Sequence, residues 1–157
     1  PFVPPATEEK GELNFSSVLV AGYPAGFLSG TVIQQNLYAV SSVIQVLKMF
    51  TFTSTTIDLF SIGGSAVAQK GSSGGAVVDA HKELVGIVVT STLADTTAAR
   101  DLRALTVSHI NRSIKEQAGI NLSELLDTTN LTVTAASFRD NVAPLLTSML
   151  INGIEGR

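Results

Sequence analysis

Two serines lie among three glycines at Gly71-Ser72-Ser73-Gly74-Gly75, and this loop has the residue types best suited to chemistry. Glycine adopts backbone angles that a residue with a Cβ resists, so such a loop can direct several N–H groups toward one point. A nucleophilic serine needs those donors where the oxyanion forms, and it needs open space beside its hydroxyl. The loop therefore predicts a nucleophile at Ser73. A tight glycine and serine turn without chemistry is the alternative.

The residues after the loop distinguish between classes of serine enzyme. Gly71-x-Ser73-x-Gly75 also fits the nucleophile elbow of an α/β-hydrolase esterase, in which a helix follows the serine. Here Ala76-Val77-Val78, a polar turn and a second apolar run at 84–89 follow, and valine-rich runs around a turn are typical of a β-hairpin. A phosphate-binding loop is disfavoured because Lys70 precedes the glycines and no Gly-Lys-Ser/Thr is present.

The loop and the hairpin together resemble the trypsin-like serine proteases of the chymotrypsin fold, in particular their bacterial, HtrA-like relatives. In that family a Gly-x-Ser-Gly-Gly segment carries the nucleophile, and a hairpin ending in a Gly-Ile strand, here Gly86-Ile87, follows it. The turn at 22–26, Gly-Tyr-Pro-Ala-Gly, is similar to the Gly-x-Pro-x-Gly turn of HtrA-like proteases. The resemblance implies that Ser73 is catalytic and that the N–H groups of Gly71 and Ser73 form the oxyanion hole.

The same resemblance implies a substrate-binding surface around the loop. Val67 and Lys70, just before the loop, would wall the primary specificity pocket. Val67 replaces the aspartate of trypsin itself, so a small or aliphatic P1 residue is expected rather than a basic one. The resemblance also implies that the backbone groups of Val89, Thr90 and Ser91 bind an extended peptide, which pairs with them as an added strand.

The activating groups of the serine are not evident in the sequence. A serine hydroxyl needs a base within hydrogen-bond reach. The chain has two histidines: His81 lies in a polar turn and His109 in a predicted helix, and neither has the sequence context of the family's catalytic histidine. Asp58 is expected to be a turn or capping group, and a Ser73–Lys70 dyad is a weaker hypothesis. The resemblance places the catalytic histidine and aspartate in an N-terminal barrel upstream, so this chain alone is expected to be inactive.

Ser72 also departs from the trypsin pattern. Trypsins have an aspartate there, which pairs with a new N-terminus during activation. With serine at this position, that route of activation is not implied.

The expected fold is mainly β: the second six-stranded β-barrel of the chymotrypsin-like fold, with C-terminal helices. Residues 1–16 are interpreted as an interdomain linker, 17–126 as the barrel with its terminal helix, and 127–153 as a helical extension. Residues 154–157, Ile-Glu-Gly-Arg, match the factor Xa recognition sequence and are interpreted as an added cleavage site.

Local patterns predict the individual elements. Strands are expected within 18–21, 31–33, 38–40, 43–47 and 50–57, where β-branched and aromatic residues dominate. Helices are expected at 107–117, with a cap at Gly119, and at 122–127, where Asn121 and Glu124 form a capping box. A polar connector is expected at 128–134. A further helix is predicted at 137–151, with Asn141 as its N-cap and Pro144 in its first turn.

Composition limits the possible functions. The 157 residues are 45% hydrophobic and 15% charged, which predicts a globular domain with its own core. A net charge of −3 without a basic run disfavours nucleic-acid binding, and no apolar run reaches the ~20 residues of a membrane span. No cysteine or metal-ligand cluster is present, so no cofactor or metal is expected.

The expected partners are a peptide or protein substrate and the N-terminal protease barrel, and the resemblance implies a periplasmic or secreted location. A non-catalytic protease-fold interaction module is the alternative function.

Overall fold

The structure, a computed structural model, describes residues 3–9, 16–25, 38–52 and 55–156. Its main element is a curled antiparallel sheet with the strand order β2-β1-β5-β6-β7-β4-β3. The strands are β1 (Ser17–Gly22), β2 (Val40–Gln45), β3 (Lys48–Phe50), β4 (Leu59–Gly63), β5 (Ala76–Val78), β6 (Leu84–Ser91) and β7 (Leu102–Thr106).

The strands at the two ends of this order, β2 and β3, are consecutive in the chain. Val46 and Leu47 join them, and both residues donate backbone hydrogen bonds to the rest of the sheet: Val46 N–H to the carbonyl of Ser16 at 2.9 Å, and Leu47 N–H to that of Ser61 at 2.7 Å. The chain therefore passes directly from one end of the sheet order to the other.

The core lies inside the curl. Every second residue of β1 and β7 is buried, as the two-residue period of a strand requires. Phe60 is the largest fully buried side chain among the described residues, and a Cβ built on Gly86 would lie 2.6 Å from its ring. Gly86 on β6 therefore leaves the space that the Phe60 ring occupies.

Two helices follow the sheet. Helix α1 (Val107–Ala118) begins at Thr106, whose Oγ1 accepts the N–H of His109 at 3.1 Å, and it ends at Gly119 with a left-handed φ of 72°. Helix α2 (Leu122–Leu125) has the predicted capping box, in which the Glu124 carboxylate accepts the N–H of Asn121 at 3.0 Å. Both caps are confirmed, although α2 ends before the expected residue 127.

The C-terminal segment differs most from expectation. A continuous helix runs through α3 (Thr128–Ser137), a π-helical turn (Phe138–Val142) and α4 (Ala143–Glu155). The predictions of a polar connector at 128–134 and of an N-cap at Asn141 are therefore wrong. Pro144 has no N–H and would crowd the carbonyl four residues earlier; the π turn, in which Ala143 N–H donates to Phe138, accommodates it without ending the helix.

The predicted strand at 50–57 is also wrong beyond Phe50. The described residues of this range, 51–52 and 55–57, form no strand; the N–H of Phe52 and Oγ1 of Thr56 instead donate to the buried carboxylate of Asp58. The predicted strand at 31–33 lies outside the described residues. Residues 38 and 39 precede β2 and are not in a strand, and β2 ends at Gln45. Within the described ranges, no helix is both long and apolar enough to cross a membrane.

Candidate active site

The serine loop depends on glycine at defined positions. Gly71 and Gly74 have φ values of +95° and +86°, in the left-handed region that other residues resist. A Cβ on Gly71 would lie 2.8 Å from both the carbonyl oxygen of Tyr23 and the Cβ of Ala25, so Gly71 is packed beneath this turn. The N–H of Ala25 also donates to the carbonyl of Lys70 at 2.8 Å. Tyr23 and Ala25 therefore hold the serine loop in place.

The backbone hydrogen bonds of the loop leave a distinct pair of donors. The N–H of Ser72 donates to Gln69 at 3.3 Å, that of Gly74 to Val88 at 2.8 Å, and that of Gly75 to Ser72 at 2.9 Å. In the part of the chain that the structure describes, the N–H groups of Gly71 and Ser73 have no acceptor. Two unoccupied donors beside an exposed serine are what an oxyanion hole requires.

The Ser73 hydroxyl is exposed and only weakly bound. Its Oγ donates to the carbonyl of Val89 at 3.4 Å, a long distance for a bond between two oxygens. That carbonyl is accessible because of a β-bulge: Val88 pairs with Ala104 and Thr90 with Arg103, which leaves Val89 outside the ladder. The bulge therefore brings the end of β6 against the serine loop.

The predicted strand-binding residues adjoin this bulge. Thr90 is exposed and Ser91 is half-buried. On one side, both residues pair with β7, Thr90 with Arg103 and Ser91 with Leu102. The structure thus places the Val89 carbonyl 3.4 Å from Ser73 Oγ, and Thr90 and Ser91 follow Val89 on β6.

A small-walled cavity opens beside the serine. Its volume is about 360 Å³, and its walls carry small side chains or none. The lining residues are Ala21, Gly22, Tyr23, Ala39, Gly71, Ser73, Gly74, Gly75 and Ala76. Tyr23, about half exposed, has the only large side chain among these lining residues.

The two predicted pocket-wall residues lie at different depths. Val67 is fully buried in the core, whereas Lys70 is exposed. Sequence reasoning missed Arg100, whose guanidinium donates to the carbonyl of Ala68 at 3.0 Å and to that of Ala94 at 3.3 Å. Arg100 thereby ties its own loop to the segment that leads into the serine loop, and no pattern in the sequence indicated this contact.

A second polar cluster surrounds Asp58, which is 2% exposed. Its carboxylate accepts hydrogen bonds from the N–H of Phe52 at 2.6 Å, His109 Nδ1 at 2.8 Å, Arg112 Nη2 at 2.6 Å and Thr56 Oγ1 at 3.1 Å. Burial raises the pKa of Asp58, but these hydrogen bonds outweigh it and lower the pKa to about 2. Asp58 is therefore an ionised anchor for helix α1.

This cluster does not activate Ser73. The His109 ring binds Asp58 and meets the edge of Phe52 at a centroid distance of 5.2 Å, while His81 lies exposed in the hairpin turn. Among the described contacts, neither imidazole bonds to the Ser73 hydroxyl. The sequence did contain a signal for the cluster: a charged residue among apolar ones needs partners, and residues 109 and 112 share a helix face.

Comparison with known proteins gives the family. Residues 3–121 match the model of the trypsin family, which is most of the chain. The chain belongs to the trypsin family. No curated protein matches it. The trypsin-family match contains the serine loop, its hairpin and helix α1, and it ends at Asn121, so α2, α3 and α4 follow the matched region. No group of three acidic, histidine or cysteine side chains among the described residues could hold a metal ion.

Proposed function

We propose that this trypsin-family chain is the nucleophile-bearing half of a serine endopeptidase. Ser73 Oγ would attack the carbonyl carbon of a peptide bond, and the N–H groups of Gly71 and Ser73 would stabilise the oxyanion. A base takes the hydroxyl proton and gives it to the leaving amine as the peptide C–N bond breaks, so that the acyl group remains on Ser73 as an ester. Water then hydrolyses this acyl-enzyme ester and restores the serine. The observation that carries the proposal is the exposed Ser73 hydroxyl next to two backbone N–H donors that have no acceptor among the described residues.

The histidine and aspartate of such an enzyme would come from an N-terminal barrel. In support, His109 is bound to Asp58, and His81 is exposed in the turn between β5 and β6. The curled sheet would be the second six-stranded barrel, with β2 and β3 acting as one bent strand. Residues 1–16 would link the barrels: Ala6 N–H donates to Leu84 at 2.9 Å and Leu84 N–H to Pro4 at 2.8 Å. The HtrA-like resemblance favours a periplasmic or secreted location.

Active-site labelling tests the proposal. We expect this chain alone to remain unlabelled by a fluorophosphonate and not to turn over a peptide ester, because among the described residues no basic side chain is hydrogen-bonded to the Ser73 hydroxyl. Joined to its upstream half, the chain should be labelled at Ser73. The Ser73→Ala variant should abolish the label, and Ser72→Ala should retain it. Stoichiometric labelling of the isolated chain, together with turnover of the ester, would contradict the proposal that this chain is only half of the enzyme.

The absence of such a base among the described residues favours one alternative, a non-catalytic interaction module with the protease fold. The upstream coding sequence distinguishes the two. A barrel bearing a histidine and an aspartate supports the enzyme, whereas its absence supports the module.

The primary pocket of the enzyme is expected to prefer a small or aliphatic P1 residue. Val67 offers no carboxylate to a basic side chain, and Lys70 would repel one. The backbone of Val89, Thr90 and Ser91 would bind the peptide as an added strand. Cleavage of a peptide library by the two-barrel protein measures the preference, and strict cleavage after Arg or Lys would rule it out.

A further inference from the structure

One outer face of the sheet carries no charged residue over three described strands. Strand β1 buries every second residue, so Leu19 and Ala21 lie on the outside of the curl. The ladder places Val43 of β2 and Val78 of β5 directly on the two sides of Leu19. This surface, which we call the outer face, is completed by Ser17, Ser41, Gln45 and Ala76.

The centre of the outer face is apolar and open to water. Leu19 is 41% exposed and Val43 is 72% exposed. Residues paired in this way have Cβ atoms about 5 Å apart, so the two side chains form one patch. Isolated exposed apolar side chains are common, but adjoining ones on an uncharged face are typical of a contact surface. In the part of the chain that the structure describes, helix α1 packs on β6 and β7 instead.

The outer face continues into the cavity beside the serine. Ala21 and Ala76 belong to both surfaces. No described residue of β6 lines this cavity, whereas the Val89 carbonyl on β6 lies 3.4 Å from Ser73 Oγ. Because the proposed substrate strand occupies the β6 side, the cavity side is the one left for a base within hydrogen-bond reach of Ser73.

The N-terminal segment meets the sheet near the other end of the outer face. Pro5 forms a parallel bridge with Leu84, and Leu84 pairs with Val78 at the end of β5. Ala6 N–H also donates to the Leu84 carbonyl at 2.9 Å. Under the proposed function this segment leads from the upstream half. The outer face therefore extends from the point where that half is attached to the serine that it must activate.

These two points are close enough for one interface. Val78 and Ser73 are five residues apart, so their Cα atoms are separated by at most about 18 Å. The ~5 Å between paired strands extends this to about 23 Å between Leu84 and Ser73. An interface of standard size buries about 800 Å² on each partner, which corresponds to a patch on the order of 30 Å across. A single partner can therefore contact the outer face and the cavity together.

We propose that the outer face, with the cavity at its Ser73 end, is the docking surface of the upstream half. This inference rests on the proposed peptidase function. The partner surface is uncharged and largely apolar opposite Leu19 and Val43, because a charge buried there would find no opposite charge. At its Ser73 end it carries the base that takes the hydroxyl proton. Attachment through residues 3–6 holds that half beside this face at a high effective concentration, an advantage that a second copy lacks.

Cysteine protection tests the docking surface without a measurement of activity. The 157 residues contain no cysteine, so one can be introduced and its modification by a thiol reagent followed by mass mapping of its peptide. Val133→Cys is the control for Val43→Cys, because Val133 is 69% exposed and lies in α3, beyond the trypsin-family match. In the full-length protein, Val43→Cys should react at least tenfold more slowly than Val133→Cys. In the isolated chain the two cysteines should react at similar rates.

Val43→Asp tests whether the same surface positions the base. In the full-length protein its carboxylate would be buried against an apolar partner, so the upstream half should be displaced. Labelling of Ser73 by a fluorophosphonate should then fall at least tenfold, whereas Val133→Asp should leave the rate unchanged. Circular dichroism of the isolated chain monitors the fold, which exposed substitutions change little.

Three outcomes would overturn the docking surface. They are equal reaction of the two cysteines in the full-length protein, unchanged labelling of Ser73 in Val43→Asp, and protection of Val43→Cys in the isolated chain that grows with its concentration. The last would assign the outer face to a second copy. The docking surface and the peptidase function fail separately. A labelled Ser73 with an unprotected Val43→Cys contradicts the docking surface alone, whereas a protected Val43→Cys with an unlabelled Ser73 supports it and contradicts the peptidase.

Discussion

Replacement of Asp58 by alanine is expected to lower the free energy of unfolding by about 3–5 kcal/mol, the cost of breaking a buried ion pair. The Asp58 carboxylate is 2% exposed and joins the segment at 51–58 to helix α1. Without it, Arg112 and the N–H of Phe52 lose their charged acceptor, and His109 loses the group that orients its ring. Urea denaturation of both proteins measures the difference.

Asp95→Ala is the matched control, because Asp95 is an exposed aspartate. Exposed substitutions of this kind change stability by about 0.5 kcal/mol or less. A loss at Asp58→Ala no larger than that of the control would mean that the cluster does not anchor α1.

The same cluster predicts a pH dependence. The pKa of Asp58 falls from 3.8 unfolded to about 2 folded, so its contribution is fully present above about pH 4 and is lost as the pH falls through 2. A shift of this size corresponds to about 2 kcal/mol. The stability difference between the native chain and Asp58→Asn, which cannot ionise, should therefore shrink by about 2 kcal/mol between pH 5 and pH 2. A difference independent of pH would show that the charge of Asp58 contributes nothing.

Replacement of Gly75 by alanine is expected to cost about 3 kcal/mol of stability, at the upper end for overpacking. A Cβ there would lie 2.5 Å from the carbonyl oxygen of Ala21 and 2.8 Å from that of Ser72. Both contacts are with backbone, so either β1 or the serine loop must move. In the proposed two-barrel enzyme the same shift would displace the proposed oxyanion donors, and loss of one such donor lowers kcat by about 10²–10³.

Gly74→Ala provides the contrast for Gly75→Ala. A Cβ on Gly74 meets nothing within 4 Å, but its φ of +86° makes any L side chain cost about 1–2 kcal/mol. Gly75→Ala thus measures the effect of a steric clash, and Gly74→Ala measures the cost of an unfavourable backbone conformation. Urea denaturation of the isolated chain, followed by kinetics of the two-barrel protein, should rank Gly75→Ala as the more damaging. The opposite ranking would mean that the close approach of β1 to the loop is not maintained in solution.

Local sequence patterns predicted the structure correctly where a few neighbouring residues determine it. The hairpin after Gly75 follows from valine-rich runs around a turn, and the capping box follows from the spacing of Asn121 and Glu124. They failed within 51–57, where the described β-forming residues form no strand and Phe52 and Thr56 donate to the Asp58 carboxylate instead. They failed again at 128–134, where polar residues join a longer helix that Pro144 does not interrupt.

The sequence alone determined that Ser73 lies among glycines, that a hairpin follows it and that the motif is trypsin-like, because these properties depend on residue type and short spacing. Only the tertiary structure decided which N–H donors around Ser73 have no acceptor among the described residues, because the N–H of Gly74 donates to the carbonyl of Val88 on β6. It also placed the bulge at Val89 against the serine and gave Asp58 partners 51 and 54 residues away. Contacts across such separations depend on strand register and helix packing, which no local pattern in a single sequence specifies.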